Sequence, residues 1–192
     1  MRIVGGAWRG RRIHFPTVAE LRPTPDRVRE TLFNWLQHRI AGTRCLDLFA
    51  GSAVLGLEAL SRGAREAVFV ENDPSVAAAI RSAFLELKTE RGRILEHDAF
   101  ALLAGPGEAF DIVFVDPPFA RGGLDELCRL LEAQGWLSRN AFVYLEQATR
   151  SDIPQLPAEW MLWRETKAGE VRGMLARRRA PGTEGDERAD AT

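Results

Sequence analysis

Four consecutive residues, Asp116-Pro117-Pro118-Phe119, bring a carboxylate, two stiff prolines and an aromatic ring into one short stretch. They follow Phe110 to Val115, a run that is apolar apart from Asp111 and suits a strand buried on both faces of a parallel sheet. Each proline fixes its φ at about −65° and biases the residue before it away from helix, so the chain leaves that strand extended. One chemistry uses all three parts. The exocyclic amino group of adenine, cytosine or guanine is a poor nucleophile, because its lone pair is delocalised into the ring. If Asp116 and the Pro117 carbonyl each accept one N–H bond, the nitrogen is drawn towards tetrahedral geometry and its lone pair is aimed at an electrophile. Phe119 can stack on the base and hold it in line. The plain alternative is a strand end with a proline-rich turn, Asp116 solvated and Phe119 in the core.

The elements around this stretch repeat one pattern. Cys45-Leu46-Asp47-Leu48-Phe49-Ala50 reads as a buried strand, followed by Gly51-Ser52-Ala53 and an apolar helix from Val54 to about Ser61. Strand, glycine turn and helix start form a nest that can cradle a carboxylate or phosphate. Ala67 to Val70 is a second strand, and Glu71 at its end suits hydrogen bonding to a ribose diol. A helix from Pro74 to about Lys88 and a strand from Arg93 to Leu95 lead to Asp98, which either accepts from an adenine amino group or caps the next helix. After Asp116 come a helix from about Leu124 to Gln134 and a strand from Ala141 to Leu145. A terminal hairpin follows, Trp160 to Lys167 and Val171 to Arg177, joined by Ala168-Gly169-Glu170. The chain is therefore expected to be α/β, a doubly wound, mostly parallel seven-stranded sheet with ligands at the carboxyl ends of its strands. The glycine turn, Glu71, Asp98 and Asp116 all fall at such ends.

The first part of the chain differs. Arg2 to Ile13 is expected to form a two-stranded arm turning at Gly5-Gly6, either gripping phosphates with Arg9, Arg11 and Arg12 or packed on the body through Ile3, Trp8 and Ile13. Thr24 can cap a helix whose first position is Pro25 and whose buried face is Val28, Leu32, Trp35 and Leu36. Residues 1–29 hold seven arginines against Glu20 and Asp26, on a chain of net charge −1. A basic arm on a neutral body is a phosphate-contacting feature or a solvated surface. Cys45 and Cys128 have neither CxxC spacing nor a nearby histidine pair, which argues against a disulfide framework or a zinc site. No apolar run approaches membrane-spanning length, and a cytoplasmic, membrane-free and metal-free monomer is expected. The division expected over the 192 residues is an arm and helix over 1–41, a ligand-binding domain over 42–179 and a disordered acidic tail over 180–192.

The arrangement resembles a class I S-adenosylmethionine-dependent methyltransferase, Rossmann-like, with its glycine loop at Asp47-Leu48-Phe49-Ala50-Gly51, its ribose acid at Glu71 and its amino-methylating motif at Asp116 to Phe119. More narrowly, it resembles the RsmD family of bacterial 16S ribosomal RNA guanine-N2 methyltransferases. That likeness is carried by Arg2-Ile3-Val4-Gly5-Gly6, Trp8-Arg9-Gly10-Arg11, Arg22-Pro23-Thr24, Asp26 to Asn34 and Leu55 to Arg62. The resemblance implies methyl transfer to the N2 amino group of one guanine in 16S rRNA, within the small ribosomal subunit or its assembly intermediate. S-adenosylmethionine would be the donor and S-adenosylhomocysteine the product. It further implies catalytic roles for Asp116, Pro117 and Phe119, cofactor contacts from Asp47, Ala50, Gly51, Glu71, Asn72, Asp98 and Ala99, and RNA contacts from Arg9, Arg11, Arg12, Arg27 and Arg29. The family usually has glycine where this chain has Ala53, and threonine where it has Pro25. If position 53 needs a positive φ, alanine costs about 1–2 kcal/mol there.

Three rival readings remain at this level. Gly51-x-Ala53-x-x-Gly56 followed by Glu71 imitates a dinucleotide fingerprint, which would make the chain a nicotinamide-dependent oxidoreductase, but this leaves Asp116 to Phe119 unexplained. A DNA or other-RNA amino-methyltransferase would share the Asp116 motif. A non-catalytic RNA-binding assembly factor would keep the arm and not need the pocket.

Overall fold

The computed structural model describes residues 1–15, 24–118 and 123–179. Seven strands form one sheet: β1 Arg44–Asp47, β2 Glu66–Glu71, β3 Gly92–Glu96, β4 Phe110–Val115, β5 Leu137–Ala148, β6 Trp160–Ala168 and β7 Val171–Arg178. Their spatial order is β3-β2-β1-β4-β5-β7-β6. β1 to β5 are mutually parallel, and β7 enters antiparallel between β5 and β6. The helices are α1 Asp26–Trp35, α2 Val54–Ser61, α3 Pro74–Leu87, α4 Ala99–Leu103 and α5 Leu124–Ala133. β1 leads away to β2 and β3 on one side, while β4 lies on its other side, so the chain changes direction between β1 and β4. Ligands of doubly wound sheets bind in the crevice that such a reversal leaves beyond the carboxyl ends.

Two cores sandwich the sheet. One collects Val28, Leu32 and Phe33 of α1, the apolar residues of α2, and Val76, Ile80 and Phe84 of α3. The other packs Leu103 of α4 and Leu127 and Leu131 of α5 against Leu46, Val68, Val113 and Val143. Inner-strand residues alternate between these cores, which is why β4 reads as a continuous apolar run. Each core also holds one free, buried cysteine, Cys45 in the first and Cys128 in the second.

All eight residues of α2 are buried, so nothing is left to face water. The N-terminal arm provides the cover. Ile3 and Ile13 belong to the α2 core. The polar groups of α2 are used in docking the arm: Glu58 accepts from Val4 N–H at 2.9 Å, and the Ser61 hydroxyl donates to Gly5 O at 2.6 Å while accepting from Trp8 N–H at 2.9 Å. The arm is not the expected regular ribbon. It makes one antiparallel bridge, Arg2 to Arg12, and Gly6–Trp8 forms a 3₁₀ turn. Gly5-Gly6 is a docking seam rather than a hairpin turn: at Gly6, φ is +73° and a Cβ would lie 2.0 Å from Ser61 O.

Three boundaries differ from expectation. Thr24 does not cap α1; the cap position is Pro25, with no side-chain bond, and the helix begins at Asp26. β1 ends at Asp47, although Leu48 and Ala50 still bond to Phe114 O and Val70 O. β5 runs twelve residues and includes Glu146 and Gln147, because it is hydrogen-bonded by β4 on one side and by β7 on the other. The expected tail over 180–192 and residues 119–122 lie outside the described residues.

Candidate active site

Five acids stand at or just beyond the carboxyl ends of the five parallel strands: Asp47, Glu71, Asp98, Asp116 and Glu146. Each does something different. Asp47 is buried, and its Oδ2 accepts from Gly56 N–H at 2.9 Å, which ties the end of β1 to the start of α2. Burial pushes its carboxyl up to about 7, with the nearby Glu71 charge adding and the Gly56 N–H opposing. Between them the turn is tight. Gly51 has φ +46° and Ala53 has φ +56°, so alanine does occupy a left-handed position here. Gly56 lets α2 approach β2, since a Cβ there would sit 2.3 Å from the Phe69 ring.

Glu71 is fixed from both sides. Its Oε2 accepts from Gly51 N–H and its Oε1 from Asp73 N–H, each at 2.9 Å. Each carboxylate oxygen keeps acceptor capacity beyond these bonds, a donor set that fits a ribose diol. Asn72 follows, exposed, and Asp73 caps α3 through Ser75 and Val76 N–H. Asp98 caps α4, its Oδ1 accepting from Ala101 N–H at 3.0 Å, with Ala99 buried behind it.

Asp116 leaves β4 half-buried beside buried Pro117, while Pro118 is exposed. The nearest donor to its carboxyl among the described residues is the Thr24 hydroxyl, 3.4 Å from Oδ2. Burial raises its pKa well above the usual carboxylate range; the Glu146 and Asp47 charges raise it further, and Thr24 opposes. Phe119, expected to stack on the base, lies outside the described residues.

The arginines separate into three groups. α2 and α3 start at the carboxyl ends of the strands and run back, so their last turns lie at the opposite end of the sheet. The arm docks there: Trp8 on Ser61, and Arg11 Nη2 on Glu86 O at 3.0 Å. Arg9, Arg11 and Arg12 are exposed. Arg11 is docked at the end away from Asp116, whereas Arg12 is bridged to Arg2, whose carbonyl is held by Arg29 near the start of α1. Arg27 is exposed in the first turn of α1, close in sequence to Thr24 and so at the Asp116 end. Arg29 is a correction to the expected phosphate grip. It is 2% exposed, and its Nη2 donates to Asp26 Oδ1 and to Arg2 O, both at 2.9 Å. That guanidinium ties the arm to α1 and is not presented to an external phosphate.

The residues not anticipated at the site are Thr24, Tyr144 and Glu146. Glu146 carries the same signal as the other four acids, an acid closing an apolar run, but it was hidden because the run Ala141 to Leu145 looked complete without it. Among the described residues, no group of three or more His, Cys, Asp or Glu could hold a metal ion, and no helix is long and apolar enough to cross a membrane.

Residues 1–177 match the family described as Conserved hypothetical protein 95. Over 182 residues the chain is 48% identical to Ribosomal RNA small subunit methyltransferase D of Escherichia coli (strain K12), covering 95% of this chain and 92% of that protein. The chain belongs to the RsmD family. The protein of the same name from Haemophilus influenzae is 41% identical, with 89% of this chain and 90% of that one covered. A solved structure described as putative methyltransferase yhhF from Escherichia coli superposes with a TM-score of 0.87 at 48% identity, over 94% of this chain and 98% of the other. The RsmD family match includes the docked arm as well as the sheet, and membership makes this chain a methyltransferase of class I, Rossmann-like fold.

Proposed function

We propose that this chain transfers a methyl group from S-adenosylmethionine to the N2 amino group of one guanine in 16S rRNA, acting on the small ribosomal subunit or its assembly intermediate. The observation that carries the reading is the side-by-side placement of Asp116-Pro117 at the end of β4 and the Gly51–Glu71 nest at the ends of β1 and β2. S-adenosylmethionine, when bound, supplies an electrophilic methyl group on a sulfonium. Glu71 would take its ribose hydroxyls, the backbone of Ala50 and Gly51 would hold its chain, and Asp98 and Ala99 would hold its base. Asp116 and the Pro117 carbonyl accept the two N–H bonds of the guanine amino group, which turns its lone pair towards the methyl carbon. Phe119 is the ring this reading assigns to stacking on the base once the base is turned out of its helix. The names of the relatives, which are ribosomal RNA small subunit methyltransferases, support the substrate.

The test is label transfer from S-adenosylmethionine to small subunits isolated from cells lacking this protein, followed by nucleoside analysis. N2-methylguanosine at one site is expected, with the rate down at least about 100-fold in Asp116→Ala because the amino group is no longer aligned. Label appearing only in DNA or in another RNA overturns the substrate.

A further inference from the structure

Asp116 has a buried neighbour that the alignment of an amino group does not require. Val115 of β4 pairs with Leu145 of β5 in parallel register, so Asp116, just beyond β4, follows on beside Glu146, which is still within β5. Glu146 is 2% exposed, and among the described residues no cation is paired with either carboxyl. Two carboxyl groups so placed do not both ionise readily, and such a pair holds one proton in common. The donors decide which member keeps it. Glu146 Oε2 accepts from the Tyr144 hydroxyl at 2.7 Å, whereas among the described residues the side-chain donor to Asp116 is the Thr24 hydroxyl at a long 3.4 Å. Room for the Tyr144 hydroxyl exists because β7 carries Gly173 opposite Glu146; a Cβ at Gly173 would lie 2.6 Å from it. The other groups facing the pair are Thr24 ahead of α1, whose hydroxyl also favours ionised Glu146, and Asp47 of β1, whose charge disfavours ionised Asp116.

We infer that Glu146 is a positioning residue for Asp116: the two carboxyls share one proton beside the Thr24 hydroxyl, and Tyr144 holds Glu146 ionised so that the proton rests on Asp116 until substrate arrives. This rests on the amino-methylation reading above. The cycle balances. The entering amino group places its N–H donors on Asp116, which releases the shared proton to solvent. As the N–C bond forms from the nitrogen lone pair, the S–C bond breaks and its electron pair stays on sulfur. The methylated nitrogen, now cationic, returns one proton to Asp116 and restores the pair. Burial raises the pKa of both carboxyls; the Glu146 charge raises that of Asp116 further, while the Tyr144 and Thr24 hydroxyls oppose the rise at Glu146, in agreement with this distribution.

The experiment is a carbon-13 NMR titration of side-chain carboxyls in the full chain, comparing wild type, Glu146→Gln and Tyr144→Phe, with the pH profile of methyl transfer to small subunits as a second readout. In wild type, Asp116 is expected to titrate in coupled steps with Glu146. In Glu146→Gln it titrates in one step, lower by at least about one pH unit, since the like charge is gone. The acid limb of the methyl-transfer profile moves to lower pH with it. Tyr144→Phe shifts Asp116 in the same direction, because the proton passes to Glu146 once its donor is lost. An unchanged Asp116 midpoint in the folded variants overturns the inference. Methyl transfer that proceeds normally with an unmoved acid limb sinks this inference alone. Absence of transfer by the wild type sinks the proposed function, and the titration still decides the proton pair.

Discussion

Ala53 sits at φ +56°, in the left-handed region where a Cβ crowds the following carbonyl. The strain is borne in the turn that also positions Gly51 N–H on Glu71, so it falls on the cofactor side of the site. Ala53→Gly is expected to stabilise the fold by about 1 kcal/mol, the relief of strain less the extra chain entropy of glycine, which raises Tm by about 2–4 °C. Thermal melts and calorimetric titration with S-adenosylhomocysteine check the stability and the affinity separately. Asp47 makes a second prediction at this scale. Its folded value is about 7, against about 3.9 for an unfolded aspartate, so the folded chain binds the proton more tightly between those values. Stability from this group is present below about pH 4 and is lost as pH rises towards about 7. Asp47→Asn keeps an acceptor for Gly56 N–H, and melts between about pH 4 and 8 should show a shallower decline than wild type.

At the scale of elements, α2 is the clearest case of a helix stabilised from outside. Its apolar composition leaves it no solvent face, and the arm supplies the missing layer through Ile3, Ile13 and the Glu58 and Ser61 hydrogen bonds. Gly6→Ala puts a methyl group against the backbone of Ser61 at a left-handed position, and is expected to cost about 2–3 kcal/mol. Hydrogen exchange should show protection lost first in residues 1–13 and in the last turn of α2. Much of the element order was legible because the apolar run of each of the five parallel strands ends in an acid or a glycine. That rule placed Asp116, Glu71 and Asp98 at or just beyond strand ends, where the structure has them, and Asp98 makes the capping bond that one of its two readings required. The position of the arm was not legible, since Arg9, Arg11 and Arg12 carry no information about which end of the sheet they reach. Thr24 was misread for a related reason: its local role as a helix cap lost to a partner 92 residues away, which no window of sequence contains. Glu146 escaped because β5 is extended past Leu145 by pairing with β7, a strand that comes later in the chain.

For the whole molecule, the expected division at residue 41 does not coincide with a break in packing. Ile3, Ile13, Leu32, Phe33 and Ile40 share one core with Leu57, Phe69 and Phe114. The rings of Phe33 and Phe114 are 5.9 Å apart, and Arg62 of the α2 end lies 5.0 Å over Phe33. Arm, α1 and sheet are therefore expected to melt in one transition, with calorimetric and van't Hoff enthalpies in agreement. Removing residues 1–13 should lower that single Tm instead of sparing an independent sheet domain, and two resolved transitions in differential scanning calorimetry would contradict this. The same two-layered build gives the chain a pair of internal clocks. Cys45 lies under one face of the sheet and Cys128 under the other, both thiols pushed up to about 12 by burial and so unreactive in the closed protein. An alkylating reagent can mark either one only when its own layer opens. The ratio of the two labelling rates therefore measures, with no added probe, whether the helical coats on the two faces come away together or one before the other.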